Sequence, residues 1–322
     1  MSNFLCKERI VNEIKATTPI LIPSFSSKGI RDFSEIFYNL KDYLSDVTLF
    51  SSYDLYHKLI DSKQIYETEL LFIDSGGYEA AIEPDLSEVY GMAHKPLEWN
   101  EEYYLKQIEC IEPMTEIVLV NYDYMGLPLI EQINKASTIF NKFTSFASDF
   151  LIKAENGEGK INVESVISNI NKLSSFSILG FTEKELGFSV IERCKNIYKI
   201  RKALDDKGLN QPIHIFGCLD PLNIIVYFLC GADIFDGLSW LRYGFKDNIP
   251  VYFNSYAITS GKWNLRTEDL KMSIYLDNIK TLNKLKHSMK LFTKVKDLSV
   301  FELDEMTQIE ITKMIDLVKE EM

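Results

Sequence analysis

The chain has 322 residues, of which 46% are hydrophobic and 25% charged, and it carries a net charge of −12. That size and balance suit one large α/β domain or two small ones, and the acidity argues against a uniformly basic nucleic-acid binder. No apolar run reaches the ~18 to 20 residues that a bilayer requires. The stretch Met1 to Ile10 lacks the apolar core of a signal peptide, and Cys6, Cys110, Cys194, Cys218 and Cys230 are scattered without a CxxC pair, which argues against a disulfide framework or a cysteine-rich zinc site. The expectation is a reduced, cytoplasmic protein with no membrane partner.

In chain order, the first predicted strand is Thr18 to Phe25, followed by the turn Ser26 to Gly29. An amphipathic helix from Asp32 to Leu44 repeats its apolar residues Phe33, Ile36, Phe37, Leu40 and Leu44 at helical spacing. Strands follow at Asp46 to Phe50 and at Glu69 to Asp74, the second running into Ser75-Gly76-Gly77-Tyr78. The polar connection Ala80 to Asn100, carrying Met92, His94 and Trp99, exceeds the usual loop length and is therefore functional or partly helical. A helix from Glu101 to Ile111 leads to a fourth strand, Glu116 to Val120, ending at Asn121-Tyr-Asp123. A helix over Leu129 to Ala147 leads to a fifth strand, Asp149 to Ala154. Helix Val163 to Leu173, strand Ser175 to Leu179, helix Val190 to Asp206, strand Pro212 to Phe216, helix Leu222 to Cys230 and strand Ala232 to Phe235 complete the series.

Eight short, apolar, β-branched strands alternating with helices read as an α/β fold, a (β/α)8 TIM barrel over residues 1–250. An open doubly wound sheet is the alternative, but no GxGxxG follows the first strand. Residues 251–322 read as a C-terminal helical extension, basic and then acidic. Between Gly261 and Lys296, Lys and Arg outnumber Asp and Glu; such a face either tracks a phosphate backbone or is merely solvated.

Strand C-termini build the active face of such a barrel. The rule gathers Ser24, Ser26, Ser51 to Tyr53, Asp74, Asp123, Lys153, Glu155, Gly180, Gly217 and Asp236 at one mouth. Asp74 and Asp236 are the leading chemical candidates, although a lone strand-end aspartate is more often a cap or turn former. Asp233 reads as structural. His57, His94, His214 and His287 lack partners at ligand spacing, and His214 reads as a satisfied interior residue. Cys218 lies next to the pocket but an unpaired cysteine is usually a small apolar filler.

Several of these stretches resemble the tRNA-guanine transglycosylase superfamily. Phe72-Ile-Asp-Ser-Gly-Gly-Tyr78 is similar to its DSGG-aromatic signature and Gly231-Ala-Asp-Ile-Phe-Asp236 to its GxDxFD segment, with Arg242 near the arginine that follows. Ile213-His-Ile-Phe-Gly-Cys-Leu-Asp-Pro221 resembles the LMGVGxP segment, Asn121-Tyr-Asp123 stands at the place of FDE, and Thr48 to His57 is similar to the NTYHL element. The likeness is collinear over residues 18–245 and itself implies a (β/α)8 barrel. It implies that Asp236 is the nucleophile on the sugar C1′ and Asp74 the general acid/base. Ser75, Gly76, Gly77, Asp123, Lys153, Gly180, Gly217 and Cys218 would surround the base, Tyr78 or Tyr124 would stack on it, and Arg242, Lys284 and Lys290 would meet the nucleic-acid backbone.

The departures are as informative. The family's CxCxxC…H zinc site after the eighth strand has no counterpart, since no cysteine follows Cys230 and Tyr275-Leu-Asp-Asn278 offers an aspartate near the place of the ligand histidine. The GGL pocket segment is replaced by Leu179-Gly-Phe-Thr-Glu-Lys-Glu-Leu-Gly187, and Lys153 or Glu155 stands where a glutamine is expected. The expectation is an enzyme without metal or cofactor, resembling the zinc-less branch that inserts deazaguanine bases into DNA. It either exchanges a base or, if water resolves the intermediate, excises one as a DNA glycosylase; a modified or foreign base, as in phage DNA, suits the altered pocket. The partners expected are DNA and a free nucleobase, with a homodimer left open. A zinc-less tRNA transglycosylase and a non-catalytic nucleic-acid-binding subunit are the alternatives.

Overall fold

The computed structural model describes residues 4–30, 32–82 and 94–320. Met92 and most of the long connection after Ala80 lie outside them. Eight parallel strands form one sheet: β1 (Ile20–Pro23), β2 (Val47–Ser51), β3 (Leu70–Asp74), β4 (Glu116–Val120), β5 (Ala147–Ile152), β6 (Ile178–Thr182), β7 (Ile213–Phe216) and β8 (Ile234–Gly237). Each pairs with its sequence neighbour from β2 to β8, and β8 returns to β1 with Asp236 beside Ile22. The last seam, between β1 and β2, is a single bridge, Ser24 to Leu49, with Phe25 N donating to Leu49 O at 3.1 Å. The sheet is thus a (β/α)8 barrel, as the alternation of elements predicts.

Strand parity divides the core. Ile20, Ile22, Val47, Leu49, Leu70, Phe72, Val118, Val120, Leu151 and Ile234 fill the barrel, and Val11 and Ile14 join them from the N-terminal segment. The alternate residues, such as Leu21, Phe50, Leu71, Ile73, Leu119, Phe150, Phe181, Ile215 and Phe235, face the helices. Period-two alternation with both faces buried is what makes the strands read as continuous apolar runs.

The outer layer includes α1 (Phe33–Leu40), α2 (Ser52–Tyr56), α3 (Gly77–Ala80), α4 (Glu101–Glu109), α5 (Leu129–Lys142), α6 (Val163–Ser168), α7 (Ile170–Leu173), α8 (Val190–Asp206) and α9 (Pro221–Leu229). Five of these starts carry a side-chain cap: Ser51 caps α2, Asn100 α4, Asn162 α6, Ser189 α8 and Asp220 α9, the last with Pro221 in the first turn. After β8 come α10 (Ser239–Arg242), a hairpin of β9 (Gly244–Lys246) and β10 (Ile249–Val251) that the sequence reading did not foresee, α11 (Phe253–Thr259), α12 (Thr267–Val295) and α13 (Glu305–Glu320). α12 packs on β1, α9 and the hairpin and takes the place of the eighth outer helix, while α13 packs on α8 and α9. Both feed the barrel's outer core, through Tyr275, Ile279, Leu282, Met289, Phe292, Ile311, Ile315 and Val318. The barrel's helical ring therefore runs on beyond residue 250.

Asp233, ahead of β8, is fully buried between Arg9 and Arg201; the Arg201 contact is 2.6 Å, and Ile213 N donates to the same carboxylate at 2.9 Å. It is a structural acid, as expected.

Candidate active site

Asp236 is the last inward-facing residue of β8 and is only 6% exposed. Ser24 Oγ, from the end of β1, donates to its Oδ2 at 2.9 Å, and Gly217 N, after β7, donates to its Oδ1 at 3.0 Å. Gly217 is at φ +78°, and a Cβ there would meet open space, so the turn presents its bare backbone to the mouth. Ser24 is fixed in turn by Gly237 N at 3.2 Å and by Trp240 Nε1, which donates to its carbonyl at 3.1 Å.

Asp74 closes β3. Its carboxyl is raised to about 7, first by burial and then by the charges of Asp123 and Asp236, against the opposing Ser75 and Gly76 N–H groups. An acid so placed is largely protonated below neutrality and able to give up that proton near it. Gly76 N reaches its Oδ2 at 3.4 Å, and Ser52 Oγ donates to its carbonyl at 2.7 Å. Gly76 is at φ +84° with Tyr53 and Trp99 pressed against it, and Trp99 Nε1 donates to Ser75 O at 3.1 Å.

A second polar group lines the β4–β6 side. Ser75 Oγ donates to Asp123 Oδ1 at 2.5 Å, and a Cβ on Gly77 would clash with that carboxylate. Lys153 Nζ lies 3.5 Å from Asp123 Oδ2, 3.2 Å from Glu185 Oε1 and 3.1 Å from Thr182 Oγ1. Burial works to lower the Lys153 pKa, but the two carboxylates outweigh it and the net shift is upward. Glu185 Oε2 is buried without a hydrogen-bond partner. Over the rim, Arg242 Nη2 donates to Tyr78 Oη at 3.0 Å, which joins the loops after β8 and β3.

The structure thus brings Asp74, Ser75, Gly76, Gly77, Tyr78, Asp123, Lys153, Gly217, Asp236 and Arg242 to one mouth. It does not bring the remaining candidates there. Tyr124 is buried among the outer helices, its hydroxyl on Glu101 Oε1 at 2.7 Å and its ring under Lys135. Cys218 points into the outer core, and burial holds its thiol well above the usual range. Gly180 lies inside β6 rather than beyond it, where a side chain would strike Phe216 and Asp149. Lys284 pairs with Glu302, and Lys290 lines a cleft of about 470 Å³ beside Asp46, Glu69 and Glu116, at the N-terminal ends of the strands and opposite the mouth.

Four contributors were not singled out from sequence: Asp149, Thr182, Glu185 and the central role of His214. His214 Nδ1 lies 2.6 Å from Asp149 Oδ2 and its Nε2 3.5 Å from Asp236 Oδ1. Both His214 and Asp149 are fully buried. The inward parity of Ile213-His-Ile-Phe216 was the available signal. Its partner was hidden because β5 starts at Ala147, two residues earlier than predicted, which turns Asp149 from a strand-entry residue into a mid-barrel one.

Among the described residues, no group of three His, Cys, Asp or Glu is arranged to hold a metal ion. Asp277, where the resemblance would seek a ligand histidine, is instead paired with Lys262 and accepts from Tyr256 Oη at 2.9 Å, so the residues after β8 do not fit a zinc site. No described helix is long and apolar enough to cross a membrane. Compared with family models and with curated proteins, the chain matches none.

Proposed function

We propose that this protein removes nucleobases from DNA by cleaving the N-glycosidic bond through a covalent intermediate on Asp236. The observation that carries the reading is the unequal pair at the mouth. Asp236 accepts hydrogen bonds from Ser24 Oγ and Gly217 N, while Asp74 is raised to about 7. One carboxylate is equipped to attack and the other to supply a proton. The collinear likeness to the transglycosylase superfamily supports the same assignment of roles.

In the first step an Asp236 oxygen bonds to C1′ and the C1′–N bond breaks. Its electron pair stays with the base, which takes the proton of Asp74. In the second step the Asp74 carboxylate accepts a proton from water as the water oxygen bonds to C1′, and the Asp236 ester bond breaks. An incoming deazaguanine in place of water would make the same site a transglycosylase. Asp123 and Lys153, with Ser75 between strand and helix, offer acceptors and a donor to the base edge, and the exposed Tyr78 offers a ring at the rim.

The test is direct. Purified protein is incubated with unmodified DNA, with base-modified DNA and with tRNA, and free base and abasic sites are measured. Release from DNA that disappears in Asp236→Asn supports the reading, and uptake of a labelled deazaguanine selects exchange over excision. Absence of release from every substrate, or release that survives Asp236→Asn, refutes it.

A further inference from the structure

The inside of a barrel is an apolar place for charge, yet this one has a line of three titratable groups through it. Asp149 from β5, His214 from β7 and Asp236 from β8 follow one another across the lumen, with both ring nitrogens of His214 turned toward carboxylates. The ring is otherwise enclosed by Phe216, with centroids 3.9 Å apart, and by Phe72 at 5.6 Å. Gly180 leaves the space that Asp149 and Phe216 occupy. Asp149 and Asp236 are the charged groups within contact of the imidazole, and beyond Asp236 stands Asp74.

From this geometry we infer that Asp149 and His214 form a buried relay in which an imidazolium positions Asp236 and acts as its counter-ion. Burial pushes the Asp149 carboxyl up while His214 beside it works to lower it; with Asp149 ionised, the contact fixes a proton on Nδ1, since a carboxylate only accepts. A bare Nε2 would then set a lone pair against an Asp236 oxygen that already accepts from Gly217 N. A protonated Nε2 gives that oxygen a second donor, and a small rotation of the carboxylate closes the 3.5 Å separation to hydrogen-bond length. The balance of charges agrees: burial works to lower the His214 pKa, but Asp149 and then Asp236 outweigh it and raise it to about 9.

The consequence rests on the proposed chemistry. When Asp236 becomes an ester to C1′ it loses its negative charge, and when the ester breaks the charge returns to it. A fixed cation beneath the carboxylate favours the states in which that charge is present, so it assists the second step, in which Asp236 leaves as water or an incoming base bonds to C1′. His214 touches neither sugar nor base and is a positioning residue.

The first test does not depend on any activity. In protein labelled with 15N-histidine, the His214 ring, assigned among the four histidines by its loss in His214→Gln, is expected to carry both protons at pH 7. It is expected to titrate near 9 and to titrate lower in Asp149→Asn. A ring with one bare nitrogen at pH 7 overturns the relay, whatever becomes of the glycosidic reading. The second test uses base release. His214→Gln, which keeps a neutral donor, is expected to lower kcat by about tenfold or more, to lower KM with it because the second step then limits turnover and the covalent DNA adduct accumulates, and to lose less than His214→Phe. Asp149→Asn, in which His214 loses its proton at lower pH, is expected to release base more slowly than wild type at pH 8 and above by a larger factor than at pH 6, a ratio from which the titration of Asp74 cancels. Wild-type rates and an unchanged pH profile in the two folded His214 variants refute the inference. If they do not fold, the spectrum and pH profile of Asp149→Asn decide it alone. If wild-type protein releases no base, the proposed function fails, while the spectrum still judges the relay.

Discussion

Replacing Asp74 with Asn should stabilise the protein at alkaline pH while abolishing base release. The carboxyl moves from 3.8 in a free chain to about 7 in the folded protein, so between those values the folded state binds more protons than the unfolded state. Stability linked to this group is therefore fully present below about 4 and is lost as pH rises through 7. At about 1.4 kcal/mol per unit, the roughly 2 units between pH 5 and pH 7 give a ceiling of about 3 kcal/mol. Asp74 keeps partial exposure at the mouth although protein surrounds it, and solvent screening reduces the expected effect to about 1–2 kcal/mol. The assay is urea unfolding of wild type and Asp74→Asn at pH 5 and pH 8, compared as a difference so that the other titrating groups cancel. The variant should gain about 1–2 kcal/mol relative to wild type on going from pH 5 to pH 8. A difference that does not change with pH would mean that Asp74 is not held protonated by its surroundings, and the assignment of it as the acid would lose its physical basis.

Asp123→Asn removes one of the charges that raise Asp74, so the alkaline fall in base release should move to lower pH in a pH–rate profile. Ser24→Ala takes a donor from Asp236 and an acceptor from Gly237 N; base release should fall by about tenfold and urea unfolding should show a loss of about 1–2 kcal/mol. Asp233→Ala leaves Arg9 and Arg201 buried without their shared counter-ion and should cost about 3–5 kcal/mol by the same measurement, with any protein that folds retaining its pH profile. His214 is raised from 6.5 to about 9. Its contribution to stability is complete below 6.5 and disappears as pH rises through 9, so the pH dependence of unfolding above pH 7 should flatten in His214→Gln.

The fold was legible because the strands are short, apolar on both faces and regularly spaced between amphipathic helices. β4 and α8 begin and end where the periodicity puts them. The mouth was legible for the same reason: a strand-end rule needs only the last inward residue, which Asp74 and Asp236 supply. It failed where boundaries slipped. β6 starts at Ile178, three residues later than predicted, so Gly180 belongs to the wall rather than to a loop. β5 starts two residues earlier, which hid Asp149. Lys284 and Lys290 of α12 read as backbone contacts or a solvated face, and the sequence does not choose between them, because a helical face has a direction only once its neighbours are known. Its middle lies by Trp240 and Tyr243, where Asn278 donates to both carbonyls, and its end lies by Cys6, whose carbonyl accepts from Lys296.

The difference between the two aspartates illustrates what a sequence withholds. Each is the last inward-facing residue of its strand, and both are enclosed by protein. What separates them is the set of groups that answers each charge. Asp236 has a hydroxyl from the far end of the sequence, at β1, and a backbone N–H and an imidazole edge from the neighbouring β7. Asp74 has the weaker help of the Ser75 and Gly76 N–H groups and faces two like charges. The barrel divides the labour by closure, since Ser24 reaches Asp236 only because β8 returns to β1. A variant that loosens that seam should therefore reduce the asymmetry as well as the stability. Trp240→Phe, which deletes the donor holding Ser24 O at 3.1 Å but keeps a ring in the core, should lower base release more than its modest loss of stability accounts for. Equal losses in the two would place the selectivity between the carboxylates elsewhere than in the seam.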